Sequence, residues 1–216
     1  MTLTAELYFS FRSPYSYLSV GRYRAMAEEH DLAIALRPVW PLAIREPDFF
    51  ERNHPNWLGY TMRDMLRVAQ FHDIPFGAPR PDPIVQDVAT RRIAQDQPFI
   101  RYVTRMGQAA ARRGKGVAFA HEAAQLIWGG AENWHEGDHL ANAAQRAGLD
   151  PAALDAEIAA QADTLDAEIA ANQQALEEAG HWGVPTLVFD GEPFFGQDRI
   201  EMVRWRMEQK GLAPRA

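Results

Sequence analysis

The sequence predicts an α/β protein with one small mixed sheet, whose two halves lie at opposite ends of the chain and are separated by an all-helical insertion. Three observations predict this. The chain opens on a strand–helix–strand pattern. It closes on two short apolar runs around Asp190-Gly191, a strong hairpin signal, followed by a last helix. Between about Trp57 and Gly180 strand signals disappear and Ala-rich helical segments succeed one another.

Leu7 to Phe11 reads as the first strand, aromatic at Tyr8, Phe9 and Phe11, and it stops at Arg12-Ser13-Pro14. Pro14 suits the first position of a helix, where a missing N–H costs nothing, and so Ser13 falls at the N-cap. Tyr17, Leu18, Val20, Tyr23, Met26 and Ala27 then keep helical spacing as far as His30-Asp31. Ala33 to Trp40 alternates as a second strand through Ile34, Leu36 and Val39.

In the middle, Tyr60 to His72 carries Met62, Met65, Leu66 and Ala69 on one helical face, and Pro75 to Pro83 is a proline-rich loop. Further helices are expected over Val85–Gln95, Pro98–Arg113, Ala120–Ile127, His139–Ala147 and Pro151–Glu178, the last long enough to be broken. Strands return at Val184–Phe189 and Glu192–Phe195, and a final helix runs from about Gln197 to Lys210. The expected units are therefore residues 1–56 with 181–216, carrying the sheet, and a helical insertion over residues 57–180.

Composition narrows the chemistry. A net charge of -7 argues against a nucleic-acid partner or an anionic membrane surface. No apolar run is long enough to cross a bilayer and no secretory signal is visible, so the cytoplasm is the expected location. Cysteine is absent, which removes disulfides, cysteine-ligated zinc and a thiol nucleophile belonging to this chain. His135-Glu136-Gly137-Asp138-His139 fits the zinc-protease spacing, but Gly137 interrupts it and Asp138 looks like the cap of the next helix. It reads as a polar loop, and no metal is expected.

Two blocks then carry a resemblance. Phe9-Ser10-Phe11-Arg12-Ser13-Pro14-Tyr15-Ser16-Tyr17-Leu18 and Gly183-Val184-Pro185-Thr186-Leu187-Val188-Phe189, with Phe194 to Ile200, resemble the two ends of the 2-hydroxychromene-2-carboxylate isomerases and the related kappa-class glutathione transferases. The resemblance covers nearly the whole chain. It implies a DsbA-like thioredoxin fold in which Ser13 and Ser16 stand where the oxidoreductases of that fold carry their two cysteines. It implies, further, glutathione as cofactor, a small aromatic substrate and a possible homodimer.

The resemblance assigns roles residue by residue. Ser13, at a helix start where unpaired N–H groups and the dipole favour an anion, would stabilise a glutathione thiolate; the plainer reading is a helix cap. Val184-Pro185 would be a cis-proline loop presenting the Val184 backbone to the cysteinyl part of glutathione, against the alternative of a trans proline opening an edge strand. Gln197 and Asp198 would hold the γ-glutamyl end, although Asp198-Arg199-Ile200-Glu201 also reads as a capping box. Asn53 would contact glutathione from the loop before the insertion, and Asn56 fits equally. The lysine that the family often carries ahead of Tyr60, Asp64 and Arg67 is replaced by Trp57-Leu58-Gly59, with Arg52 or Arg63 as candidate substitutes. Tyr8, Phe11, Tyr15, Trp40 and Trp182 are candidates for an apolar wall, though core packing explains Tyr8 and Phe11 as well.

The implied reaction is cis–trans isomerisation of 2-hydroxychromene-2-carboxylate or a similar intermediate of aromatic catabolism, by reversible thiolate addition that turns a locked double bond into a rotatable single bond. The alternatives are a kappa-like transferase, which releases the adduct, and a non-catalytic binding protein.

Overall fold

The computed structural model describes residues 2–87 and 92–215. Strand β1 (Leu3–Phe9) pairs in parallel with β2 (Leu32–Pro38), from Leu3 opposite Leu32 to Phe9 opposite Pro38, and α1 (Pro14–Glu29) makes the crossover. On the other side of β1 lies antiparallel β3 (Thr186–Phe189), with Leu7 opposite Leu187. Strand β4 (Glu192–Phe195) pairs with β3 and completes the order β2-β1-β3-β4. The hairpin turn puts Asp190 at φ 53° and Gly191 at φ 77°, the left-handed pair that a two-residue turn needs to match strand twist.

The first strand is longer at its start than the aromatic run suggests and ends two residues before Phe11. Ala5, Leu7 and Phe9 are buried on one face, and Thr4 and Glu6 fall on the other. Glu6 belongs in the strand because Arg37 of β2 reaches its carboxylate, Nε to Oε1 at 2.9 Å. After Phe9 the chain leaves the sheet, and Phe11 turns into the core against the Phe9 ring, edge-on at 5.0 Å.

The helices between the sheet halves are α2 (Leu42–Arg45), α3 (Phe49–Arg52), α4 (Pro55–Phe71), α5 (Pro98–Arg112), α6 (Gly116–Trp128), α7 (His139–Arg146) and α8 (Pro151–Glu178). Helix α9 (Ile200–Glu208) ends the fold after a 3₁₀ turn at Gln197–Arg199. The start of α4, five residues ahead of the apolar periodicity, comes from Pro55 at its first position, with the His54 ring accepting from the Asn56 N–H at 3.2 Å. Within α8 the helix breaks at Gln161, whose φ is -132°.

The helix expected over Val85–Gln95 is not what its described ends form; residues 88–91 lie outside the described residues. Gln86 pairs with Ile93 as an antiparallel bridge, and Ala94 N–H donates to Val85 O at 3.0 Å. Gln97 sets this geometry: its side chain accepts from Val85 N–H and donates to the Val85 and Ala94 carbonyls, each at 2.8 Å. Backbone groups turned away from water need partners, and one glutamine side chain pairs three part-buried ones here.

One apolar core runs from Leu7, Phe9 and Phe11 through Val103 and Met106 of α5 and Phe119 of α6 to Leu154 and Leu165 of α8. Tyr8 and Val188 face the other side of the sheet, where they pack with Val39 and Leu176. The sheet is thus covered on both faces. Strands β2 and β4 are the sheet's edges, and at the end of β1 the chain runs into α1.

Candidate functional site

At that end the chain turns from Phe9 into the first turn of α1. Ser13 takes an extended conformation (φ -92°, ψ 115°) and its Oγ accepts from the Ser16 N–H at 3.2 Å. The cap reading is therefore correct. The same Oγ lies 3.4 Å from the Val184 carbonyl, 171 residues along the chain, as donor to it. A hydroxyl has one proton, so Ser13 donates either to Val184 or to a ligand in front of α1, while its lone pair goes on capping.

The Val184–Pro185 peptide is cis. Pro185 O accepts from the Gly196 N–H at 2.9 Å, which draws the start of the last helical segment up to the cis-proline loop. Thr186 Oγ1 donates to Gly183 O at 2.7 Å, and the His181 ring accepts from the Gly183 N–H at 2.9 Å. That ring is stacked on Phe195 at 4.0 Å, and burial pushes its pKa below 6.5. Gly196 sits at φ 109°, where a side chain would also come within 2.5 Å of the Asp198 carboxylate.

Gln197 and Asp198 line a cleft of about 440 Å³ with Arg22, Arg67, Phe71 and His72. The Gln197 carbonyl accepts from Arg22 at 3.1 Å, and its side-chain Oε1 is buried with no hydrogen-bond partner among the described residues. Asp198 is exposed and accepts from Arg199 at 2.6 Å. The expected capping box does not form. No side chain caps Gly196 or Arg199, and the 3₁₀ turn supplies a backbone bond from Arg199 N–H to Gly196 O instead.

Asn53 lies elsewhere. Its amide donates to the Phe49 carbonyl and closes the short helix α3. It reaches the cis-proline loop only indirectly: the Phe49 ring meets Trp57 and Trp182, each with centroids 5.7 Å apart. Arg52 is occupied by Glu46 and Asp48, both at 3.1 Å. Among the wall candidates, Tyr8 and Phe11 are core residues, Trp40 lies beneath Arg101, and Trp182 is 45% exposed beside the loop.

Sequence reasoning missed three partners of this end of α1. Tyr15 donates to Asp64 of α4 at 2.7 Å; burial and that carboxylate push its phenol up, so it stays a donor. Arg12, next to Ser13, forms a fork with Asp82 at 2.5 and 2.6 Å and lies over Trp128. Arg22 ties α1 to Gln197, as above. All three pair residues at least 49 apart, which local pattern does not reveal. The zinc-like motif does not share a helix face: α7 begins only at His139, and His135 packs on Phe99 at 4.3 Å.

The arrangement offers an anion a helix start of 16 residues, with the Tyr15 N–H unpaired among the described residues and the neighbouring Arg12 neutralised. The Val184 N–H is likewise without an acceptor among them. The Val184 and Tyr15 N–H groups thus belong to residues next to the Ser13 hydroxyl or bonded to it, and the orphan Gln197 amide oxygen belongs to the segment that Arg22 of α1 holds.

Residues 4–208 match the DSBA-like thioredoxin domain, and the chain belongs to that family. Among solved structures it is similar to a 2-hydroxychromene-2-carboxylate isomerase, with 21% identity over 96% of this chain and 95% of that one, at a TM-score of 0.71. A probable DsbA oxidoreductase from Streptomyces coelicolor follows, at 16% identity over 96% and 89% and a TM-score of 0.66. The cytosolic disulfide reductase DsbM from Pseudomonas aeruginosa, solved with and without GSH, gives 18% identity over 96% and 98% and a TM-score of 0.62. No curated protein matches the chain. The family therefore includes isomerases and oxidoreductases, and this member carries no cysteine of its own.

Proposed function

We propose that this protein is a glutathione-dependent cis–trans isomerase acting on 2-hydroxychromene-2-carboxylate or a similar aromatic intermediate. One observation carries the reading: in a chain without cysteine, the Ser13 hydroxyl caps α1 and faces the carbonyl of a cis Val184–Pro185. The fit to glutathione rests on the unpaired Val184 N–H and the orphan Gln197 Oε1, groups that a peptide backbone and an ammonium would satisfy.

Bound glutathione would supply the thiolate, a nucleophile that adds to a conjugated double bond and leaves again. The work of the chain is to hold that sulfur charged. Ser13 swings its proton from Val184 O to the sulfur, and the Tyr15 N–H and the helix dipole add to the stabilisation. Val184 and Gln197 fix the ligand's length, and Asp198 offers a carboxylate to its amino group. A reducing cytoplasm would keep the cofactor in its thiol form. The GSH-containing DsbM structure and the isomerase of the same fold support this choice of ligand and reaction.

Calorimetric titration with glutathione tests it. Wild type should bind, and Ser13→Ala should bind more weakly and leave the bound thiol with a raised pKa, read from thiolate absorbance. Absence of binding to wild type sinks the proposal. Ultraviolet absorbance of 2-hydroxychromene-2-carboxylate should then change only with glutathione present; an accumulating glutathione adduct would indicate a transferase instead.

A further inference from the structure

The segment that carries Val184 is tied down residue by residue. The His181 N–H donates to Leu176 O at the end of α8, at 3.2 Å. The Trp182 carbonyl accepts from Arg45 of α2 at 3.0 Å. The Gly183 carbonyl accepts from Thr186 Oγ1, and the Pro185 carbonyl from the Gly196 N–H. One further tie is of a different kind: the Gly183 N–H donates to Nδ1 of the His181 ring at 2.9 Å. Arginine stays charged, and amide and hydroxyl groups do not titrate near neutrality. Of these ties, only the one through His181 responds to pH in that range.

The ring is fixed for this contact. It stacks on Phe195 of β4, with centroids 4.0 Å apart, and on Trp182 at 5.7 Å. Gly183 lies against it so closely that a Cβ there would stand 3.0 Å from His181 Cε1 and 2.6 Å from Phe195 Cε2. To accept through Nδ1 the ring must be neutral, with its proton on Nε2. A second proton would set two N–H groups head to head, and the bond would be lost. Burial favours the neutral ring and lowers its pKa from 6.5. The charged groups on the elements packed around it are Glu177 and Glu178 at the end of α8, Arg45 on the Trp182 carbonyl, and Glu192 of β4, which pairs with Arg206.

We propose that His181 is a positioning residue for the site: its neutral ring holds Gly183, and through it the Val184 backbone, in the conformation that receives a ligand, and protonation releases them. The identity of that ligand rests on the glutathione reading above. The tie itself does not.

The first test needs no ligand. In isotopically labelled wild type, imidazole nitrogen shifts should report a bare Nδ1 at about pH 7.5, and the Gly183 amide should titrate with the ring down to about pH 5. The second test uses S-methylglutathione, whose sulfur cannot ionise. Its affinity for wild type should fall about fivefold over the same range, the worth of one hydrogen bond. His181→Asn brings an amide oxygen to the Nδ1 position and has nothing to titrate, so its affinity should not change with pH. His181→Phe keeps the stack and loses the acceptor. It should bind about fivefold more weakly than wild type at about pH 7.5, again without pH dependence. A Gly183 amide that does not follow the ring, or a wild-type affinity that stays flat, overturns the proposal. So does a pH dependence that persists in both variants, which would assign it to His72 in the Gln197 cleft. If wild type binds no S-methylglutathione, the glutathione reading fails, and the Gly183 titration still decides whether the tie exists.

Discussion

Helix α5 is met by two different chemistries. Toward the sheet it presents Val103, Met106, Gly107 and Ala110, all buried, and Gly107 lets the Phe11 ring approach so closely that a Cβ there would stand 2.7 Å from it. Toward α8 it presents Arg101, Arg105, Gln108 and Arg112, which meet Asp166, Glu168 and Glu157. The first interface depends on shape and is indifferent to pH and salt. The second depends on charge and responds to both. The sheet side therefore fixes where the strand ends and α1 begin, while the α8 side attaches a layer whose hold varies with conditions.

The largest break is expected on the sheet side. Phe11→Ala removes a fully buried ring that touches Phe9, Phe119 and α5. The cavity should cost about 3–5 kcal/mol in urea unfolding at neutral pH. A cost below about 1 kcal/mol would show that the α5–sheet seam collapses readily and is not a close-packed interface.

Asn172 sits where the two chemistries meet. It is buried in α8, and its amide donates to Pro38 O of β2 and to Gln108 Oε1 of α5, both at 3.0 Å. Asn172→Leu should cost about 1–3 kcal/mol, because it leaves two buried acceptors unpaired. The loss should also increase exchange of amide protons in β2, which a purely local defect in α8 would not do.

The same division governs what could be read from the sequence. The sheet and its hairpin were legible because strand alternation and Asp190-Gly191 are local signals, and Ser13-Pro14 announces a capped helix by residue type alone. Thr4 and Glu6 were not recognisable as strand, since Thr4 pairs with Ala33 and Glu6 meets Arg37, both in another strand. Val85–Gln95 looked helical from its composition, and the side chain of Gln97, just beyond the segment, bonds Val85 and Ala94 where the ends form a bridge instead. In the site, Ser13 and Val184 could be read from two sequence blocks. Tyr15–Asp64 and Arg22–Gln197 could not, because nothing local links residues 49 and 175 positions apart.

The smallest effect should fall on the charged side, and pH separates it from the rest. Glu157 lies 2.5 Å from Arg112 and also pairs with Arg113. Burial alone would raise its pKa, but the two guanidiniums outweigh burial and hold it below the usual 4.5. A carboxylate depressed in the folded state contributes stability above its unfolded pKa and loses it as pH falls through the folded value. Glu157→Gln should therefore cost about 1 kcal/mol at pH 7. Below about pH 4.5 the deficit should shrink, as wild-type Glu157 takes up its proton and the two proteins converge. Phe11→Ala has no such dependence, and its curve of stability against pH should run parallel to wild type. If both deficits stay constant from pH 7 to the acid limit of folding, the α5–α8 seam is held by packing like the sheet side, and the contrast between the two interfaces fails.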